Sequence, residues 1–460
     1  MVLKKDHYFC FLFLLGLSLR FVFPNDVSFV NDETKFLKIA LDANSNGDLY
    51  SLGLEGAKGV KYGPLTIYWF RLLLSFTHNP LWLSNINIFL ITASLSLGLY
   101  HLSKLTRESI SALGSLAFTS PFLWFYGRNL WDNSLNLVLV LFSFTFFLAF
   151  VKTDKFRYLL ASSLFLNCMY HIHPMSLSIA LTYLLYSFIF KRDLLSKNLG
   201  TLIAILSLNL IIATPYTLYF IEALSNSTKS PVRRPMRSFT NSFLGAQIFS
   251  TFNFSYFLGK KWQFIYGNFF GLLISAIGGL TWFAYPASFI SMLKTFKNKS
   301  RNVPSEVAIA SIAVLCQAIY YFILKIYGHP HYMAMNWIFI LILINYCARG
   351  FSKIDIIYRS VLAISLVIII AIIHLNGGSR HLHYGQTLGN QIQIAKELNK
   401  NKSSLVYSKA FHPKAFPHTI DFLRELLGKE QREGEVALLD YNEGSESENA
   451  QIKVVKKSEK

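Results

Sequence analysis

Long apolar runs recur along this chain of 460 residues, and short clusters of lysine and arginine separate them. A helix needs about 20 apolar residues to cross a hydrocarbon core of ~30 Å. Eleven runs approach that length: 7–24, 81–103, 109–127, 134–151, 156–171, 174–190, 199–216, 267–290, 305–325, 331–348 and 357–375. With 53% of residues hydrophobic and only 15% charged, the chain has too little polar surface to cover a soluble globule of this size. A soluble enzyme, a disordered regulator and a fibrous repeat are therefore excluded for the whole chain. The expected fold is all-α and polytopic, with about eleven transmembrane helices.

The basic clusters orient the spans. Lys4 and Lys5 precede the first run as they would in a signal peptide, but 19–24 offers no small-residue cleavage site. The first run is expected to stay as a span with its N-terminus inside. A further apolar segment at 64–76 is short and contains Arg71, which favours a helix lying on the membrane surface. With that segment not crossing, the clusters at Lys104/Arg107, Lys152/Lys155/Arg157, Lys191/Arg192/Lys197, Lys294/Lys297/Lys299/Arg301 and Arg349/Lys353 all face the cytoplasm. The turns at 171–174 and 328–332 carry no Lys or Arg, and 127–133 carries Arg128 alone. The formal net charge of +19 follows from the same bias, so no nucleic acid partner is implied. Cys10, Cys168, Cys316 and Cys347 lie singly in apolar runs and read as packing residues.

This reading divides the chain into a transmembrane domain, 1–376, and an extracytoplasmic tail, 377–460. The domain carries two long outer loops, 25–80 and 217–266. The tail has ordinary polar composition and the pattern of a small α/β module. Helices are expected near 386–399 and 418–427 and strands at 404–408 and 452–456, with an acidic, Ser-rich end at 442–449 of mobile composition.

Ionisable residues are almost absent from the middles of the spans, which argues against a conduit. Arg20, near the outer end of the first span, is the main exception. Five polar groups gather instead at outer ends: Asn31-Asp32-Glu33, Tyr62-Gly63-Pro64, the stretch 126–133 with Arg128, Trp131 and Asp132, His171-Ile172-His173-Pro174, and His329-Pro330-His331-Tyr332. Each has a plain structural explanation, such as helix-capping acids, a turn with an N1 proline, a salt bridge, or a hydrogen-bonding histidine beside proline. Their shared side is what points to an active site facing outward. The two His-x-His turns lack a third ligand nearby, so no metal-binding residue is assigned, although a divalent metal stays open as a cofactor.

The order of these motifs resembles a known family. It runs from an Arg ending span one, through Asp32-Glu33 and a Gly63-Pro64-Leu65-x-x-Tyr68 helix, to Arg128-x-x-Trp131-x-x-Ser134, His173-Pro174-x-Ser176 and His331-Tyr332. The chain is similar over about 7–375 to the C-fold integral-membrane glycosyltransferases, among them protein O-mannosyltransferases and lipid A aminoarabinose transferases. The likeness is strongest to bacterial members labelled dolichyl-phosphate-mannose-protein mannosyltransferase-like. It implies a sugar donor on a polyprenyl monophosphate, a place in the inner (plasma) membrane, inversion at the anomeric carbon, and a catalytic acid on the first loop, which maps to Asp32 with Glu33 beside it. Protein O-mannosyltransferases carry extra lumenal domains that have no counterpart in this sequence, so the acceptor is left open among glycan, lipid and protein.

The chemistry assigns roles on that basis. Asp32 would take the acceptor's proton, and Arg128 would hold the leaving phosphate, with Arg20 and the Arg233/Arg234/Arg237 cluster as alternates. Tyr62, Trp131, Asp132, His173, His331 and Tyr332 would line the substrate. Two other readings compete. An O-antigen polymerase or ligase would use arginines and histidines of a large outer loop, but 217–266 has no His. A transporter or flippase of lipid-linked glycans would place polar groups at mid-span.

Overall fold

The structure, a computed structural model, describes residues 5–225 except 22–23, 26, 28, 30, 57–59, 107–113, 115–116 and 119. It further describes 303–324, 334–349, 388–400, 403–407, 416–427, 435–440 and 451–456. The expected spans at 267–290 and 357–375 lie outside these residues, as do the acidic end at 442–449 and most of the second outer loop.

The membrane bundle is helical. Its elements are α1 (Lys5–Phe21), α4 (Pro80–Leu105), α5 (Pro121–Tyr126), α6 (Asp132–Thr153), α7 (Phe156–Tyr170), α8 (Leu177–Phe190), α9 (Arg192–Lys197), α10 (Leu199–Ser225), α11 (Ser305–Leu324) and α12 (Trp337–Arg349). Two further helices, α2 (Asn31–Asn46) and α3 (Leu65–Phe76), lie in the loop between α1 and α4. Among the described residues, Pro80–Leu105, Asp132–Thr153 and Leu199–Ala223 are long and apolar enough to cross a membrane.

Local sequence sets the helix starts. Asn79 caps α4 by accepting from Leu81 N at 3.0 Å, with Pro80 as the first helical residue. Ser120 and Pro121 open α5 in the same way. Helix α6 ends on Asp154 in the left-handed region, φ 57°. Being apolar all round, α6 is buried on nearly every side and packs against α4 and α7. By contrast α10 exposes Leu206, Leu210, Ile211, Leu218 and Ile221, as a helix bordering lipid does. Trp337 Nε1 donates to Leu137 O at 3.0 Å and fastens α12 to α6.

The two ends of the bundle differ in chemistry. One end gathers the basic clusters: Lys152 pairs with Glu306 at 3.2 Å and donates to Leu105 O, Lys191 pairs with Asp154 at 2.5 Å, and Lys104 lies over the Tyr100 ring. The other end carries α2, α3 and a short hairpin. In the hairpin, Gly53 N donates to Tyr62 O at 2.7 Å and Tyr62 N to Leu54 O at 2.8 Å. Helix α3 packs along α2, where Arg71 donates to Asn44 Oδ1 at 2.9 Å and Asp48 O at 2.6 Å.

The tail also reaches this end. Helices α13 (Leu388–Lys400) and α14 (Phe416–Leu426) pack on each other, and α14 packs on α2. The strands β1 (Ser403–Tyr407), β2 (Glu435–Asp440) and β3 (Gln451–Lys456) form a sheet of that order, with β1 parallel and β3 antiparallel to β2. The short run that makes β2 was passed over in the sequence because charged residues bound it closely on both sides. One apolar cluster joins Phe29, Phe36, Leu37 and Ala40 around α2, Ile67 and Phe70 of α3, and Leu388, Ile392, Ile420 and Leu423 of the tail. Each such Leu, Ile or Phe side chain, fully buried, contributes roughly 1.5–3 kcal/mol.

Candidate functional site

Two arginines come together where α1 meets α5. Arg20, in the last turn of α1, is 0% exposed, and its Nη2 donates to Leu123 O at 3.1 Å. Its Cζ lies 5.1 Å from the centre of the Phe118 ring. The turn after α5 closes over it at Gly127, where a Cβ would stand 2.5 Å from Leu123 O and 3.0 Å from Arg20 Nε. Arg128 follows, buried, with its Cζ 4.3 Å from the Trp124 ring. The Trp124 indole N–H donates to Leu19 O at 2.8 Å, so one tryptophan ties the end of α1 to the platform under Arg128. The two guanidinium charges act on each other. Among the described residues no carboxylate pairs with Arg20, and its Nε and Nη1 have no hydrogen-bond partner. Burying a cation without an acid is costly.

The turn from Arg128 to Ser134 is held from below. Ser134 Oγ donates to Tyr126 O at 2.5 Å and shares that proton with Asn129 O at 2.7 Å. Asn87 of α4 donates to the same Asn129 carbonyl at 3.1 Å and accepts from Trp69 Nε1 of α3 at 3.0 Å. The Arg-x-x-Trp-x-x-Ser spacing thus has a mechanical reason, since the serine pins the loop that presents the arginine. Trp131 lies 5.8 Å from the Tyr126 ring and packs against both apolar clusters.

Two acids form the second group. Asp32 is in the first turn of α2 and keeps partial exposure, whereas Glu33 beside it is buried. Asp132 opens α6 and is buried, accepting from Asn133 N at 2.7 Å and Asn133 Nδ2 at 2.9 Å. The charge of Asp32 acts on Asp132, so the first-loop acid and the start of α6 are neighbours. Both stand at helix N-termini, where the backbone favours an anion. Burial pushes the Asp32 carboxyl above the ordinary carboxylate range, and Lys35 opposes it. The Arg128–Asp132 salt bridge that the spacing permits does not form; Asp132 turns to Asn133 and Arg128 to Trp124.

The third group joins the first outer loop to the 171–176 turn. The rings of Tyr62 and His173 are 4.6 Å apart. His173 caps the short 3₁₀ turn Pro174–Ser176, its Nδ1 accepting from Met175 N at 3.2 Å. Burial takes its imidazole down to about 3, so it is neutral, and the Nδ1 acceptor places the proton on Nε2. His171 instead contacts Ile212 O through Nε2 at 3.1 Å, so the rings of the His-x-His pair serve different partners. Among the described residues no three metal-ligating side chains gather. The outer end of α10 completes the seam, with Lys61 N donating to Tyr219 Oη at 3.0 Å and Tyr216 Oη to Lys61 O at 3.3 Å.

Gly63 is where this seam is tightest, because a Cβ there would stand 2.3 Å from His171 O and 2.6 Å from its Cα. Both are backbone atoms, so Gly63→Ala must separate the loop from the turn. The expected result is a loss of activity of at least ~10-fold and about 1–3 kcal/mol of stability, with helix content by circular dichroism unchanged. Full activity would show that the Tyr62–His173 contact is incidental.

Of the residues singled out in the sequence, the structure pairs Arg20 with Arg128, Asp32 with Asp132, Tyr62 with His173, and sets Trp131 beside Tyr126. Arg233, Arg234, Arg237, His331 and Tyr332 lie outside the described residues. Sequence reasoning passed over Trp124, Asn87 and Trp69, which sit inside apolar runs, the first two in spans and Trp69 in the surface helix, and gave no signal beyond being polar-tipped.

The bundle with its outer helices has a fold shared with a solved structure. One solved structure with this fold is that of ArnT from Cupriavidus metallidurans bound to undecaprenyl phosphate, with a TM-score of 0.51 at 13% identity. The match covers 90% of this chain and 84% of that one. No family model and no curated protein matches the sequence.

Proposed function

We propose that this chain is a multi-pass membrane glycosyltransferase that moves a sugar from a polyprenyl-phosphate donor to an acceptor hydroxyl on the extracytoplasmic side. The observation that carries the reading is the Arg20–Arg128 pair, buried at the same end of the bundle as the Asp32–Asp132 pair. The ArnT fold, solved with undecaprenyl phosphate, supports a lipid-phosphate donor. The basic clusters gather at the opposite end of the bundle, which supports an outward-facing site.

The reaction is a single displacement. The acceptor oxygen attacks the anomeric carbon as the bond from that carbon to the phosphate oxygen breaks, which inverts the centre. Asp32 takes the hydroxyl proton, and the polyprenyl phosphate leaves with its charge held by Arg128 and Arg20. Asp132 lines the site beside the base, and neutral His173 can donate from Nε2 to a sugar hydroxyl, with Tyr62 and Trp131 as apolar walls. Arg233, Arg234, Arg237, His331 and Tyr332 are proposed as further donor contacts.

The test is to incubate membranes with a panel of radiolabelled polyprenyl-phosphate sugars. A labelled product that forms only when this chain is present supports the reading; an unchanged donor across the panel contradicts it. The pH profile adds a second check. A base works only when deprotonated, so the rate falls as pH drops through the pKa of Asp32. Burial places that acidic limb above the ordinary aspartate value of about 3.9. His173 is already neutral and contributes no limb between pH 5 and 8. A limb in that window that vanishes in His173→Gln would contradict the assignment.

A further inference from the structure

The tail grips the chain directly ahead of Asp32. Residues 25–29 lead into α2, and three alternate carbonyls along one edge of this lead-in accept hydrogen bonds from α13. Gly389 N donates to Asn25 O and Leu388 N to Val27 O, both at 2.9 Å, and Gln391 Nε2 donates to Phe29 O at 2.7 Å. Leu388 and Gly389 open α13, so their amides have no partner within the helix, and the lead-in satisfies them. The three acceptors are alternate residues, so shifting this segment by one residue would break all three bonds. Val27, Phe29 and Gln391 are at most 1% exposed. At Gly389 a Cβ would stand 2.9 Å from Asn25 Cβ and 3.1 Å from Asn25 O, so glycine is what allows the approach.

Burial then carries this register into α2. Phe29 shares the apolar cluster of Phe36, Leu37 and Ala40 with Leu388, Ile392 and Ala395 of α13 and Ile420 and Leu423 of α14. Asp32 lies three residues beyond Phe29, in the first turn of α2. Its neighbour Asp132 opens α6 of the membrane bundle, and Leu130 and Trp131 just ahead of it join the same apolar cluster. The hold of the tail on Asn25, Val27 and Phe29 therefore bears on where Asp32 stands relative to Asp132.

We infer that the C-terminal helices are a positioning element for the transfer reaction, with Gln391 and Gly389 as positioning residues that act through Asp32. The inference rests on Asp32 being the base. A displaced catalytic group loses rate without losing substrate, and a shift of about 1 Å can cost ~10²-fold.

The experiment uses full-length protein and the labelled-donor assay. Gln391→Met keeps the volume and removes the donor to Phe29 O; Gly389→Ala keeps every hydrogen bond and pushes on Asn25. Both are expected to lower kcat, Gln391→Met by ~10–10²-fold and Gly389→Ala less, with the donor KM within about twofold of wild type. In an Asp32→Asn background, Gln391→Met should remove nothing further from the residual transfer. A merely structural role would instead reduce thermal stability and act equally in both backgrounds. Should Gln391→Met fail to fold, Gly389→Ala carries the same comparison. Unchanged kcat in both variants, beside an impaired Asp32→Asn, overturns the positioning role and leaves the base intact. Equal losses with and without Asp32 also overturn it. Full transfer by Asp32→Asn would overturn the base assignment, and the positioning role with it.

Discussion

Asp32→Asn is expected to lower kcat by ~10²–10⁴-fold with little change in donor KM. Asparagine keeps the size of the side chain and can still occupy the first turn of α2, but it cannot take a proton at neutral pH. Glu33 does not rescue the variant, because it is buried while Asp32 keeps partial exposure. Asp132 is a poor substitute too, since its carboxylate is already engaged by the amide and side chain of Asn133. The loss should therefore fall on the chemical step. Steady-state kinetics with labelled donor separate kcat from KM, and a variant that transfers at the wild-type rate would remove Asp32 from the mechanism.

The second large effect concerns Arg20. A structural arginine in a protein interior is paired, and removing one partner of such a pair destabilises by about 3–5 kcal/mol. Arg20 meets no carboxylate among the described residues, and part of its guanidinium lacks a partner. Arg20→Met is thus expected to leave thermal stability unchanged or raised while cutting donor-dependent transfer by ~10²–10³-fold, the range for losing one preorganised donor to a developing anion. Arg128→Ala should weaken donor binding as well, but it also strips the cation from the Trp124 face. Detergent melting curves beside the transfer assay give both readouts. A strongly destabilised Arg20→Met with unimpaired residual activity would make Arg20 a structural residue.

The helical, polytopic class was legible because composition and run length alone decide it. Segment 64–76 was legible as separate from the spans because it is short and holds Arg71, which the structure ties to Asn44 and Asp48 of the α2 region. The gathering of Lys104, Lys152 and Lys191 at one end of the bundle likewise follows the pattern of clusters between runs. The convergence of side chains was less legible. That Arg20 meets Arg128, or Asp32 meets Asp132, depends on how α1, α2, α5 and α6 pack, and no local spacing encodes it. Gly63 and Gly127 read as turn glycines, yet what fixes them is the nearness of the His171 backbone and of Arg20. The tail looked unconnected to the site because its link is three backbone carbonyls at 25–29, whose partners do not depend on side-chain identity.

The measurement that bears most directly on the account follows a polyprenyl-phosphate sugar carrying one isotope in the sugar and another in the phosphate, incubated with the wild-type chain and acceptor membranes. The account predicts that the labels part: the sugar label enters a new product of inverted configuration, and the phosphate label stays on the lipid. Labels that remain together, whether on untouched donor, on donor moved across the bilayer, or jointly on the product, would contradict it.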